Sequence, residues 1–248
     1  MRSLLGMSAA LIGLVSGCLA TADDRGAAVG DEEDVVAPVD EAVPAAAGFA
    51  YYAVTADARK CPSPMCGGWF LKALNRQMTK CYDTAGQSCY VSNLDFALAG
   101  LSDDDQGALL AAAGRDPTFG AVYAIVRGTF AAPGVREAGR FAVTEGWLAE
   151  SDAPSSGVFV RVTDNGLRCL RAPCPSITEE TLNTASQVNI AAMDFTRAQL
   201  TSEQITDCTG EMALPGGILV AGSRFTVYDA AAPAKGRTVT AAYGRLGK

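Results

Sequence analysis

Beyond residue 48 the apolar positions fall in short β-branched and aromatic runs, broken by glycine, proline and polar turns. That pattern predicts strands. The first runs are Tyr51-Tyr52-Ala53-Val54-Thr55 and Val158-Phe159-Val160-Arg161-Val162-Thr163. Second strands are predicted over Trp69–Asn75 and Ile177–Asn183, and third strands over Tyr90–Phe96 and Val188–Phe195, each third strand ending in Asp-Phe. The pattern then changes twice in the same way. Ser102-Asp103-Asp104-Asp105 and Thr201-Ser202-Glu203-Gln204 each place a hydroxyl three residues before an acid or amide. This is the capping box that starts a helix, with acids at the positive end of its dipole. Short helices are therefore predicted over 102–113 and 201–209. Fourth strands follow at Val122–Gly128 and Gly217–Gly222, and last strands at Phe141–Trp147 and Thr238–Tyr243. A Gly-Arg pair precedes each last strand (Gly139-Arg140, Gly236-Arg237), predicting a hairpin turn.

The two series are copies of one unit. The stretch Cys61-Pro62-Ser63-Pro64-Met65-Cys66-Gly67-Gly68 returns 108 residues later as Cys169-Leu170-Arg171-Ala172-Pro173-Cys174-Pro175-Ser176. Leu74-Asn75 and Leu182-Asn183 keep the same offset. The first copy then inserts Lys80 to Cys89, which shortens the offset to 99 at the third strands. The expected fold is mainly β with two short helices: two tandem β-β-β-α-β-β lobes over 49–151 and 156–248, with Asp152–Ser156 as the junction. The element order resembles the OB-fold, a small barrel with its helix between strands three and four. A single fused β-sandwich or barrel would give the same string of elements.

Met1-Arg2-Ser3 followed by an apolar run from Leu4 to Val15 reads as a secretory signal over 1–17, too short to span a bilayer. It ends in Leu14-Val15-Ser16-Gly17-Cys18, which resembles the lipobox of bacterial lipoproteins. The resemblance implies cleavage before Cys18 and acylation of that residue. Acyl chains give about 0.8 kcal/mol of membrane affinity per buried methylene, enough for stable attachment when several are present. Leu19 in place of aspartate implies the outer membrane of a Gram-negative bacterium. With Cys18, residues 18–48 form a tether that carries eight acids against Arg25 alone and cannot order itself. As a coil it reaches on the order of 30 Å. Residues 49–248 hold 19 acids and 18 bases, a balance that argues against nucleic-acid binding.

Export favours disulfides. Proximity pairs Cys61 with Cys66, Cys81 with Cys89 and Cys169 with Cys174. Each short loop so closed gains roughly 2 kcal/mol in the chain-entropy model. A four-cysteine zinc site is the alternative, disfavoured by four-residue gaps and the absence of histidine. Cys208 falls in the second helix at the place of Leu109 and reads as a small apolar core side chain. The polar pairs Thr55/Thr163, Asn75/Asn183, Asp95/Asp194 and Arg140/Arg237 recur in both copies. Recurrence assigns them to the fold, because a fold needs two complete sets and a catalytic site does not.

No metal or cofactor is expected. Asp103 to Gly107 lacks the alternating ligands of a calcium loop, and no GxSxG, SxxK or phosphate-cradling GxxxxGK occurs. Without histidine the Ser-His-Asp and Cys-His nucleophile arrangements are excluded. The cysteine motifs over about 50–248, CPSPMCGG and the later CLRAPCPS, resemble an uncharacterised family, a domain of unknown function found in predicted bacterial secreted proteins and lipoproteins and often duplicated. The resemblance implies export and paired architecture, and no activity. The expectation is a membrane-tethered, non-catalytic module that binds a protein partner or serves structurally. Its candidate binding loops are Pro62, Ser63, Pro64 and Met65 in one lobe and Leu170, Arg171, Ala172 and Pro173 in the other. A protease inhibitor presenting Met65 or Arg171 is a second reading, and a carboxylate enzyme using Asp95 or Asp194 a third.

Overall fold

A computed structural model describes residues 48–117, 120–228 and 233–247. The expected signal peptide, Cys18 and the tether as far as residue 47 lie outside the described residues. The first half comprises β1 (Ala50–Ala56), β2 (Trp69–Ala73), β3 (Thr79–Lys80), β4 (Ala85–Gly86), β5 (Cys89–Val91), β6 (Asn93–Asp95), α1 (Asp103–Ala113), β7 (Ala124–Ala131) and β8 (Arg140–Ala149). The second half comprises β9 (Val158–Asp164), β10 (Ile177–Thr181), β11 (Gln187–Ile190), β12 (Ala192–Asp194), α2 (Ser202–Glu211), β13 (Ile218–Val227) and β14 (Ala234–Arg245). The inserted cysteine segment of the first half supplies the small β3–β4 hairpin.

The main sheet runs β11-β10-β9-β13-β14-β8-β7-β1-β2-β5. Read from either end, this order visits corresponding strands of the two halves. The centre is the antiparallel contact of β8 with β14, registered Tyr243 to Ala149, Gly244 to Leu148 and Arg245 to Trp147. The fused alternative therefore describes the molecule: the lobes share one sheet.

Each predicted third strand is two strands with a bend between them. In the first half the bend is Ser92, whose hydroxyl donates to Gly139 O and accepts from Ala138 N. Beyond the bend β6 runs parallel to β8, and β12 likewise runs parallel to β14. Each half so curls back on itself without sealing into a barrel. Matching bulges, at Arg127/Gly128 in β7 and Ala221/Gly222 in β13, sharpen the curl. A side chain at Gly128 would strike Ala142 O at 2.1 Å, and one at Gly222 would strike Thr238 O at 2.0 Å. Only glycine fits either place.

Three cores result. Tyr52, Val54, Leu71, Val126 and Phe141 pack inside the first half under Leu109 of α1. Val160, Val162, Val220 and Val239 pack inside the second under Cys208 of α2. Tyr51, Ala53, Ile125, Trp147, Leu219, Ala221 and Tyr243 form the third, at the seam between the halves. β1 and β13 thus bury both faces, which explains why Tyr51–Val54 and Ile218–Ala221 read as unbroken apolar runs. Both capping boxes form, Ser102 with Asp105 and Thr201 with Gln204.

Two expectations are corrected. Gly236 lies in no turn: it sits within β14 opposite Phe225, whose ring covers it. Arg140 and Arg237 are not equivalent either. Arg140 pairs with Asn93 as Gly236 pairs with Ala192, so the counterpart of Arg237 is Phe141. The two Gly-Arg dipeptides match in sequence but stand one residue apart in register.

Candidate functional site

The two proline loops connect β1 to β2 and β9 to β10. Disulfides join Cys61 to Cys66 and Cys169 to Cys174, and a third joins Cys81 to Cys89 beside the inserted hairpin. The Ser63-Pro64 and Ala172-Pro173 peptide bonds are cis. Under the first loop Asp57 holds the Arg59 guanidinium through both carboxylate oxygens, at 2.9 to 3.0 Å. Arg59 lies 5.1 and 5.2 Å from the Phe70 and Tyr90 ring centres and donates to Met65 O at 3.2 Å. The Tyr90 hydroxyl donates to Pro64 O at 2.9 Å. The Arg59 side chain holds the Asp57 carboxyl below the usual carboxylate range, so this support stays charged.

The second loop is held differently. Asp164 accepts from Arg168 at 2.7 and 3.0 Å and from Gly166 N at 2.8 Å, and its pKa is drawn down to about 2 by Arg168 and then by Gly166. Asn165 donates to Pro175 O. On these frames Met65 is 65% and Leu170 fully exposed, with Pro62, Ser63, Arg171 and Ala172 also exposed and Pro64 and Pro173 half-buried. The loops leave the C-terminal ends of β1 and β9, past Ala56 and Asp164.

That contact is clasped by the repeated asparagines. Asn75 donates to Phe159 O and Leu182 O and accepts from Phe159 N. Asn183 donates to Tyr51 O and Leu74 O and accepts from Tyr51 N. Each half thus completes the strand opening of the other. Both residues adopt positive φ, 55° and 61°, a conformation asparagine tolerates. Asp95 and Asp194 cap their own turns, accepting from Ala97 N and Thr196 N. The Ala97 amide, with the Arg140 guanidinium, lowers the Asp95 pKa. A carboxyl so held is a poor proton donor near neutrality, which weighs against Asp95 as a general acid. Thr55 and Thr163 sit at equivalent strand positions, opposite Phe70 and Thr178, and nothing in the structure singles them out.

Polar residues present in only one half are not demanded by the shared fold, and among the described residues two clusters of them replace apolar residues of the other half. Inside the second half Glu179, Arg224 and Arg237 stand where the first half has Leu71, Phe130 and Phe141, as the shared register shows. Arg237 grips Glu179 with two hydrogen bonds, at 2.6 and 2.8 Å, while donating to Gly222 O. Arg224 adds two more, at 2.6 and 2.9 Å. Desolvation raises the Glu179 pKa, but the two guanidiniums outweigh it and leave the carboxyl below its usual range.

The second set lies at the seam. The row Tyr51–Arg127–Glu145 crosses β1, β7 and β8, where the other half has Phe159–Ala221–Ala241. Arg127 donates to Glu145 at 2.8 Å, with Arg161 of β9 and Arg245 of β14 at 3.9 and 4.0 Å from the same carboxylate. Arg127 and Arg161 lie 5.7 and 5.5 Å from the Tyr51 ring centre, and Arg245 lies 5.9 Å from that of Trp147. Glu180 is 4.0 Å from Arg161. Burial, with Arg245 nearby, lowers the Arg161 pKa. The Tyr51 hydroxyl, Trp147 Nε1 and Arg161 Nε are buried and lack hydrogen-bond partners. Each such group costs about 1–3 kcal/mol if left so. These seam residues escaped the sequence reading, which looked for what the copies share. Setting Tyr51, Arg127 and Glu145 against Phe159, Ala221 and Ala241 marks these three, but not Arg161 or Arg245.

Among the described residues no group of three Cys, Asp or Glu side chains is placed to hold a metal ion, and no helix is long and apolar enough to cross a membrane. A family model described as a domain of unknown function (DUF6748) matches residues 50–243. No curated protein and no solved structure matches the chain.

Proposed function

Since the chain belongs to the DUF6748 family, which carries no assigned activity, we propose a function from geometry: a non-catalytic binding module, exported and tethered to a membrane through Cys18, that engages a protein partner with its disulfide-closed proline loops. The observation that supports this reading is the pair of apolar side chains, Met65 and Leu170, held out in solvent on braced loops. Exposed apolar side chains on fixed frames cost little ordering when a partner covers them. Neither residue contributes to any of the three cores. A leash outside the bilayer, acidic and about 30 residues long in the sequence, would give the loops reach. The same exposure of Met65, and of Arg171 beside Leu170, favours protease inhibition as a second reading.

Replacing Pro62–Met65 and Leu170–Pro173 with Gly/Ser in the lipidated chain tests it. The thermal unfolding curve is expected to keep its cooperativity, while recovery of a crosslinked partner from cell envelopes falls to background. Undiminished recovery would remove the loops from the function. Cys18→Ser in the same cells moves the protein out of the membrane fraction if the anchor is real. A protease panel titrated with the intact chain separates the second reading: inhibition lost on changing Met65 or Arg171 would favour it over partner capture.

A further inference from the structure

We propose that the seam cluster is a binding site for a small oxyanion, carboxylate or phosphate, taken by the guanidiniums of Arg127, Arg161 and Arg245. Three guanidiniums from β7, β9 and β14 converge on Glu145. With Glu180 counted, three positive charges face two negative ones. All three arginine side chains remain partly open to solvent, while Glu145 is mostly covered. Arginine forks match the paired oxygens of carboxylate and phosphate groups. Arg161 and Arg245 approach Glu145 only at 3.9 and 4.0 Å, so their forks are not saturated by it.

A second observation points the same way. Tyr51 is more than nine-tenths buried between strands, and its hydroxyl has no partner, though two of these guanidiniums lie within cation–π range of its ring. Arg161 Nε is orphaned beside it. Donors unanswered by the chain mark a place completed from outside it. The fold does not require any of this, because the other half builds the same row from Phe159, Ala221 and Ala241. The site draws on both halves and does not rest on the proline loops.

The other half also supplies the test. Tyr51→Phe with Arg127→Ala copies two of the three residues of the counterpart row and leaves Glu145 to Arg161 and Arg245. Calorimetric titration of the full chain with inorganic phosphate and with acetate, in chloride-free buffer of low ionic strength, is expected to show one saturable site. The preferred anion tells which oxyanion class is bound. The double variant should bind at least about tenfold more weakly, the size of one lost charged hydrogen bond, while still unfolding in one cooperative transition at a temperature lowered by loss of the Arg127–Glu145 bond. Glu145→Gln should bind more tightly, because it removes the resident competitor. Absence of saturation with both anions, equal binding by the double variant, or unchanged or weaker binding by Glu145→Gln would each overturn the site.

Discussion

Glu179 and Arg237 have no exposed surface, yet their counterparts Leu71 and Phe141 fill the same space without charge. Nature has therefore run both halves of a substitution experiment in one chain. Burying an ion pair costs several kcal/mol of desolvation per ion, which attraction recovers only when every hydrogen bond is made. Here Arg237 and Arg224 together give Glu179 four hydrogen bonds, so the set is well made. Removing one member and replacing all three have opposite expected outcomes. Glu179→Leu alone takes the buried carboxylate away from two guanidiniums and should cost about 3–5 kcal/mol in urea unfolding. The triple change Glu179→Leu, Arg224→Phe and Arg237→Phe copies the first half and should be neutral or stabilising by a few kcal/mol. A triple variant as unstable as the single one would show that the second half has adapted its whole core to the ions.

Loops and strands tell how far the chain could be read before folding. The two helices were legible because their capping hydroxyls and acids are local signals, and the doubly buried β1 and β13 were legible as apolar runs. The bend at Ser92 was not, because it is created by Gly139 and Ala138, which lie nearly 50 residues away. The register slip between Arg140 and Arg237 was hidden for the same reason: it appears only when β6 and β12 pair. Of the candidate sites, the loops were legible from their cysteines and prolines, whereas the seam cluster draws on six strands: comparing the copies marks Tyr51, Arg127 and Glu145 but cannot show that Arg161 and Arg245 meet them. The second loop makes a prediction of its own. The Asp164 pKa falls from 3.8 to about 2 through Arg168 and Gly166. A carboxyl with a lowered folded pKa contributes fully above its ordinary value and loses its contribution as pH falls through the folded one. Amide protection at Gly166 should therefore survive acidification past 3.8 and vanish near 2, while in Asp164→Asn it should be weak at every pH. Loss of protection in the wild type already above 3.8 would show that the Arg168 clamp does not hold the loop.

At the scale of the molecule, one strand contact and two asparagines turn two copies into a single body. Tyr51, Ile125, Trp147, Leu219 and Tyr243 are covered only because the halves meet. A half expressed alone would expose that face and the edge of its last strand together, a combination that drives association. The sheet order is a palindrome, with β8 and β14 meeting antiparallel at its middle. Its two sides are related as protomers are across a two-fold axis, where one surface serves as its own complement. Residues 156–248 carrying Arg161→Ala and Arg245→Ala, which removes the two guanidiniums that the twin has no Glu145 to answer, should consequently assemble as a homodimer, β14 against β14, with each Asn183 reaching the Phe159 backbone of its twin. Light scattering behind a sizing column reads this directly, and a folded monomer would refute it. The fusion of two such subunits into one polypeptide frees either seam row to diverge, an option closed to identical protomers, in which every change is made twice.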